Sequence, residues 1–245
     1  MGQRYAVVSC HVERLLDDDV WRRYRALVAS RPGGFAIASL TRPPDPASET
    51  DRDRWLERAH ELAALGPFGH HTHWGGPTTA RPTASSPPPA QRVAREAHWL
   101  RLNGLEPAYF CGGGWYLDAE VASVLASFDY ADCSATAFRH AYLPRGAHRA
   151  ALAEPAWIAL ADGQRLLELP TTHSLGLLAR ARVRSLPPAV HFYFHDFDLC
   201  DARRRLAIKA ALRVLARVRR PSDLEEQGRQ AAGAPTVLWA GVAAG

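Results

Sequence analysis

The sequence predicts an α/β protein with parallel strands, and three observations carry that expectation. Short apolar runs alternate with stretches of helical periodicity along most of the 245 residues. The runs are apolar throughout, the pattern of strands covered by helices on both faces. Three of them, at the stretches Tyr5–Glu13, Phe68–His73 and Val190–Asp198, finish in His, Glu or Asp. In barrels of parallel strands and helices, chemistry collects at the C-terminal ends of the strands. No internal repeat divides the chain, so residues 1–245 are expected to form a single domain.

Residues 5–10 read as the first strand. Asp17, Asp18 and Asp19 then cap a helix carrying Val20, Trp21, Tyr24, Leu27 and Val28 at helical spacing. Pro32-Gly33-Gly34 breaks it, and residues 35–40 form the next strand. The Pro- and Asp-rich stretch 41–50 is a loop. An amphipathic helix over 51–65, with Trp55, Leu56, Ala59, Leu62 and Ala63, leads to the strand at 68–73, which Gly75-Gly76-Pro77 turns away. Residues 77–89, dense in Pro, Thr and Ser, are a solvent loop or a mobile lid. A helix at 90–103, a strand at 107–110, the glycine run 112–114, a helix at 119–128 and a short strand at 130–133 follow. The stretch 139–165 resists assignment apart from a strand at 156–160. Strands at 166–170 and 190–195, a long helix at 201–219 and a closing strand at 235–239 complete the chain.

The formal charge of +5 and pI near 9.3 suggest an anionic partner, but Lys209 is the only lysine. Near-uniform use of arginine, with abundant alanine and proline, reads as compositional bias. The densest basic run, Arg203 to Arg220, lies on the long helix and reads as its solvated face, so no nucleic-acid partner is expected. Cys10, Cys111, Cys133 and Cys200 show no CxxC spacing and are expected to be reduced. Residues 1–4 lead straight into the first strand, so no signal peptide is expected and the location is expected to be cytoplasmic. No stretch approaches the roughly 18 apolar residues of a membrane span.

His71-Thr72-His73-Trp74 is the most informative stretch. Residues two apart on a strand share a face, so His71 and His73 can offer two imidazoles to one point. A divalent metal needs that arrangement and an apolar core does not. His11 and Glu13 are likewise two apart at the end of the first strand. In Val190–Asp198, His191 and His195 share a face, with Asp196 and Asp198 just beyond.

Taken in order, these motifs resemble the polysaccharide deacetylase superfamily, the NodB-like carbohydrate esterases of family four, and especially their divergent intracellular branches. The likeness runs over most of residues 5–200. Ser9-Cys10-His11-Val12-Glu13 is similar to the first motif, Gly69-His70-His71-Thr72-His73-Trp74 to the second, and Phe110-Cys111-Gly112-Gly113-Gly114-Trp115 to the third. Leu167–Pro170 resembles the strand before the last helices, and Phe192–Asp196 the final motif. The resemblance implies a distorted (β/α) barrel, an irregular TIM-like barrel of NodB type. It implies a metal-dependent hydrolase of a non-peptide carbon–nitrogen bond that deacetylates an N-acetylated sugar or sugar conjugate. Glu13, His71 and His73 would hold a divalent metal, for which zinc is the best match. His11 would be the base and His195 the acid, with Trp74, Cys111, Gly113, Trp115 and Asp196 around the substrate. Either Asp196 or Asp198 would orient the ring of His195.

Two departures stand out. The base position holds His11 where the family has aspartate, and Cys111 stands where the family has the arginine that orients it. The changes are consistent as a pair, because a guanidinium would oppose protonation of a histidine base. They also leave open a catalytically inactive member that binds metal or carbohydrate. A third reading makes Cys111 a nucleophile, with His195 or His11 as its base and the glycine run as oxyanion donors. Neither the substrate nor the oligomeric state follows from the sequence.

Overall fold

A computed structural model describes residues 4–84, 86–138, 143 and 146–244. Residues 1–3, expected to lead into the first strand, lie outside the described residues, as does part of the stretch 139–165. The strands are β1 (Tyr5–Val12), β2 (Ala38–Thr41), β3 (Phe68–Thr72), β4 (Tyr109–Gly112), β5 (Ala131–Asp132) and β6 (Arg149–Ala150). They continue as β7 (Ala156–Ala159), β8 (Arg165–Glu168), β9 (His173–Ser174), β10 (Ala189–His195), β11 (Arg220–Pro221), β12 (Thr236–Leu238) and β13 (Ala243–Ala244). The helices are α1 (Asp18–Ala29), α2 (Arg52–Leu65), α3 (Pro89–Leu102), α4 (Ala119–Ser127), α5 (Leu175–Arg180), α6 (Ala202–Val218), α7 (Leu224–Gln230) and α8 (Trp239–Val242). The fold is α/β with mostly parallel pairing. It divides into two compact units, Met1–Phe68 with Thr172–Gln227, and Gly69–Thr171 with Gly228–Gly245.

In the first unit β1 is the central strand, buried along its whole length, with β10 and β2 parallel on its two sides and β9 parallel beyond β10. Every position of β1 is apolar or small up to His11, as a strand covered on both faces requires. The second strand starts at Ala38, three residues later than the apolar run suggests. The short strand β11 occupies the edge of β1 at Tyr5 and Ala6, so β2 pairs only from Ser9 onward. The backbone turns ahead of it at Gly33, where φ is +68° and a Cβ would meet Ala216 of α6 at 2.9 Å. Helix α1 is capped by Asp17, whose carboxylate accepts from the N–H groups of Asp19 and Val20, and it buries Val20, Tyr24, Leu27 and Val28 as its spacing predicts. Helix α6 buries Ile208, Leu212 and Leu215.

The second unit carries the order β12-β7-β8-β5-β4-β3, parallel except for the β7–β8 pair. Strands β6 and β13 form a separate antiparallel pair. Its core gathers Val93 and Ala97 of α3, Val121 and Leu125 of α4, and Phe110, Ile158 and Leu166 of the strands. The sequence predicts none of the short elements β6, β9, β11, β13, α5, α7 and α8, because each is too brief for a periodic pattern to register. Among the described residues no helix is long and apolar enough to cross a membrane.

Candidate functional site

In the second unit, β3 delivers His71 at its C-terminal end and His73 just beyond. The two rings lie with centroids 5.1 Å apart, inclined at 71°. His71 Nδ1 is 2.7 Å from the Cys111 carbonyl and His73 Nδ1 is 2.7 Å from the Pro77 carbonyl. A carbonyl only accepts, so each Nδ1 carries the proton and donates. In the neutral ring the lone pair is thereby assigned to Nε2, the tautomer that metal-binding histidines show when a carbonyl orients them. The donor chemistry of this pair fits a divalent metal.

His70 points elsewhere. Its Nε2 lies 3.0 Å from Glu96 and 2.8 Å from the Thr72 hydroxyl, which itself donates to Glu96 at 2.8 Å, while Arg92 donates to the same carboxylate. Burial pushes the Glu96 carboxyl up, but His70, Arg92 and Thr72 together outweigh it and hold the group below its ordinary value. The alternation along β3 thus separates a structural face, His70 and Thr72, from the face of His71.

The glycine run explains itself sterically. A Cβ on Gly112 would fall 2.2 Å from the Tyr116 carbonyl. One on Gly113 would fall 2.5 Å from the Thr72 carbonyl and 3.0 Å from His73 Cδ2. The loop after β4 therefore lies directly against the His73 ring, at a distance only glycine permits. Trp115, next in line, holds a positive φ of 61° and sets its ring edge-on to Phe138.

Several residues expected around the substrate do other work. Trp74 is wholly buried, joins the core of the second unit against Tyr116, and donates from Nε1 to the Gly113 carbonyl at 3.0 Å. It braces the glycine loop and presents no face to a sugar. Trp115 is 3% exposed. Cys111 is also fully buried, and desolvation, reinforced by Asp132 and Glu168, pushes its thiol well above its ordinary value. Burial and a raised thiol are the opposite of the exposed, low-pKa setting that a cysteine nucleophile needs. Asp132 and Glu168, at the ends of β5 and β8, form a buried acid pair absent from the sequence reading. Burial pushes Asp132 up to about 6 and Glu168 well above the carboxylate range, so the pair retains a proton. Ser134 donates to Asp132 at 2.7 Å and the Ala135 N–H to Glu168 at 2.9 Å.

In the first unit the ends of β1 and β10 lie in register, with His11 opposite His195. His11 stacks on Tyr193 at 5.0 Å and meets the His195 ring edge-on at 5.3 Å. His195 Nε2 lies 3.6 Å from Glu13 and Nδ1 lies 3.8 Å from Asp198. Burial alone would lower the pKa of His195. The carboxylate of Asp198 and the charge of Glu13, both close to the ring, outweigh it, so the ring is biased toward the protonated form. Asp198 is fixed in turn by Arg204 of α6 at 2.6 Å and by the His195 N–H at 3.1 Å.

Of Asp196 and Asp198, it is Asp198 whose carboxylate lies beside the His195 ring. Asp196, expected beside the substrate, is fully buried, and its carboxylate accepts from the N–H groups of Glu13, Arg14 and Phe197. It fixes the backbone that carries Glu13, and Arg42 completes the grip by donating to the Glu13 carbonyl at 2.8 Å. Neither function was legible beforehand. Arg42 sits in a Pro-rich loop with no pattern around it, and a buried aspartate at a strand end looks the same in sequence as an exposed one.

No family model matches the sequence, and no curated protein matches it. Solved structures do match. A 4-α-glucanotransferase from Thermococcus litoralis aligns over 96% of this chain with TM-score 0.57 and 11% identity, and the chain spans 40% of that protein. A Bordetella bronchiseptica protein that bears the name of a polysaccharide deacetylase involved in O-antigen biosynthesis aligns with TM-score 0.51 and 14% identity, over 94% of this chain and 89% of its own. A family 4 carbohydrate esterase from Streptomyces lividans, in complex with acetate, aligns at TM-score 0.48 and 10% identity over 87% of this chain and 86% of its own. At such identities the likeness concerns the fold, and by that measure the chain carries the NodB-like fold of the polysaccharide deacetylases.

Proposed function

We propose that the protein is a metal-dependent hydrolase of a non-peptide amide, removing the acetyl group from an N-acetylated sugar or sugar conjugate. The observation that carries the reading is the matched orientation of His71 and His73, each with Nδ1–H committed to a backbone carbonyl. A core histidine has no need of such a pair. Glu13 is assigned as the third ligand from the order of the motifs, and two imidazoles with one carboxylate suit zinc. A divalent ion held there supplies Lewis acidity toward the acyl carbonyl and toward the attacking water.

The chain's own residues do the rest. His11 takes the proton that water gives up as its oxygen bonds to the acyl carbon. His195, biased toward its protonated form by Asp198 and Glu13, delivers a proton to the nitrogen as the carbon–nitrogen bond breaks. The products are acetate and a free amine. Asp198, braced by Arg204, holds the donor ring in place.

A second reading, a binding protein that no longer hydrolyses, is favoured by the two departures at His11 and Cys111. Incubating the zinc-loaded protein with a panel of N-acetyl sugars, nucleotide sugars and lipid-linked sugars, and measuring released acetate, separates the two. Acetate release that is lost in His195→Ala supports the hydrolase. Full metal occupancy with no release across the panel establishes the binding protein.

A further inference from the structure

We propose that the face formed by α5 and α6 in the first unit is a docking surface for an anionic lipid membrane. Between these helices lies an open apolar cavity of about 300 Å³, lined among others by Leu175, Leu178, Val183, Ala211 and Val214. The lining is aliphatic throughout, and α5 buries none of its residues. Among the described residues, the large hydrophobics on the surface are Leu102, Val183, Leu206, Val214 and Leu238. Three of these five belong to this one face, where Leu206 lies a single helical turn from Ala210 of the cavity wall. Scattered exposed leucines need no explanation, but a cluster around an apolar cleft does.

The charge around the cleft says what covers it. Residues 172–187 carry Arg180, Arg182 and Arg184, and residues 202–218 carry Arg203, Arg204, Arg205, Lys209, Arg213 and Arg217. Neither segment contains an Asp or a Glu. Arg180, Arg182, Arg184, Arg203, Arg213 and Arg217 are all exposed, so cations stand on the α5 side and the α6 side of the same apolar cleft. Charge of a single sign on both flanks of an apolar cleft differs from the mixed-sign pattern that supports an ordinary solvated helix. An apolar strip rimmed by arginines is what an anionic bilayer selects: the aliphatic side chains enter the acyl boundary while guanidinium groups stay with the phosphates. A folded protein partner would need acidic groups spaced to match each rim, whereas a bilayer of anionic headgroups supplies charge everywhere along it.

Sedimentation with vesicles tests this on the full chain at 0.15 M salt, conditions that screen weak surface attraction to roughly 8 Å. The protein is expected to bind vesicles of one-quarter phosphatidylglycerol in phosphatidylcholine and to ignore pure phosphatidylcholine. Arg182→Glu with Arg184→Glu should lower the partition coefficient about tenfold or more. Val183→Asn with Leu206→Gln should lower it several-fold without touching charge, while the same change at an exposed leucine elsewhere, Leu102→Gln, should leave it unaltered. All these positions are exposed, and thermal melts confirm that the variants fold. Absence of binding overturns the proposal. So does binding that the Val183 and Leu206 changes leave intact and that heparin matches, since that is the behaviour of a plain polyanion site. The test reads membrane binding alone and is independent of acetate release.

Discussion

Glu168→Gln is the substitution whose consequence the structure fixes most closely. Glu168 and Asp132 are fully buried side by side, and burial raises both, so the folded pair keeps a proton that the unfolded chain releases near its ordinary carboxylate value. The pair therefore costs nothing where both states are protonated, below the ordinary carboxylate range, and its cost grows as pH rises while only the folded state retains the proton. A retained proton costs up to about 1.4 kcal/mol per pH unit over the range in which only the folded pair holds it. Glutamine keeps the acceptor that receives the Ala135 N–H and offers its amide N–H to Asp132 in place of the shared proton. Guanidinium unfolding at pH 5, 6 and 7 should show the wild type losing more stability than the variant over that span, by at most about 1.4 kcal/mol per pH unit. Equal losses in the two proteins would mean that the acids are not a proton-sharing pair.

Three further outcomes follow from the same geometry. His70→Ala should leave metal content unchanged but cost about 2–3 kcal/mol, because it strips a partner from Glu96; calorimetry with metal analysis reads both. Gly113→Ala replaces no proposed ligand, yet its methyl group drives against the Thr72 carbonyl and the ring of the ligand His73. Zinc affinity should fall at least about tenfold, as for loss of a residue that orients a ligand, and a competitive chelator titration measures it. Cys111→Arg should depress turnover, because a guanidinium opposes protonation of a histidine base, while adding His11→Asp should recover part of it. Unchanged turnover in His11→Ala would remove His11 as the base.

The elements that were legible in the sequence are those with a repeating physical signature. The apolar strand at β1 and the spaced apolar positions of α1 needed no tertiary information, and Asp17 caps that helix as expected, while Asp51 and Asp201, expected inside their helices, cap them instead. The separation of His70 from His71 and His73 followed from strand alternation alone. Burial was what the sequence concealed. Trp74 next to a histidine pair reads as a sugar platform but is a core residue, and Asp196 reads as a functional acid but anchors the backbone at Glu13. The Asp132–Glu168 pair joins strands 36 positions apart, a coupling that no local pattern announces.

Metal content of the purified protein tests the central claim most directly, measured for the wild type and for His71→Ala, His73→Ala, Glu13→Ala and His70→Ala. The wild type and His70→Ala should each carry about one equivalent of a divalent ion, zinc, and the other three should lose it severely. A wild type that takes up no metal, or equal loss from His70→Ala, would contradict that claim.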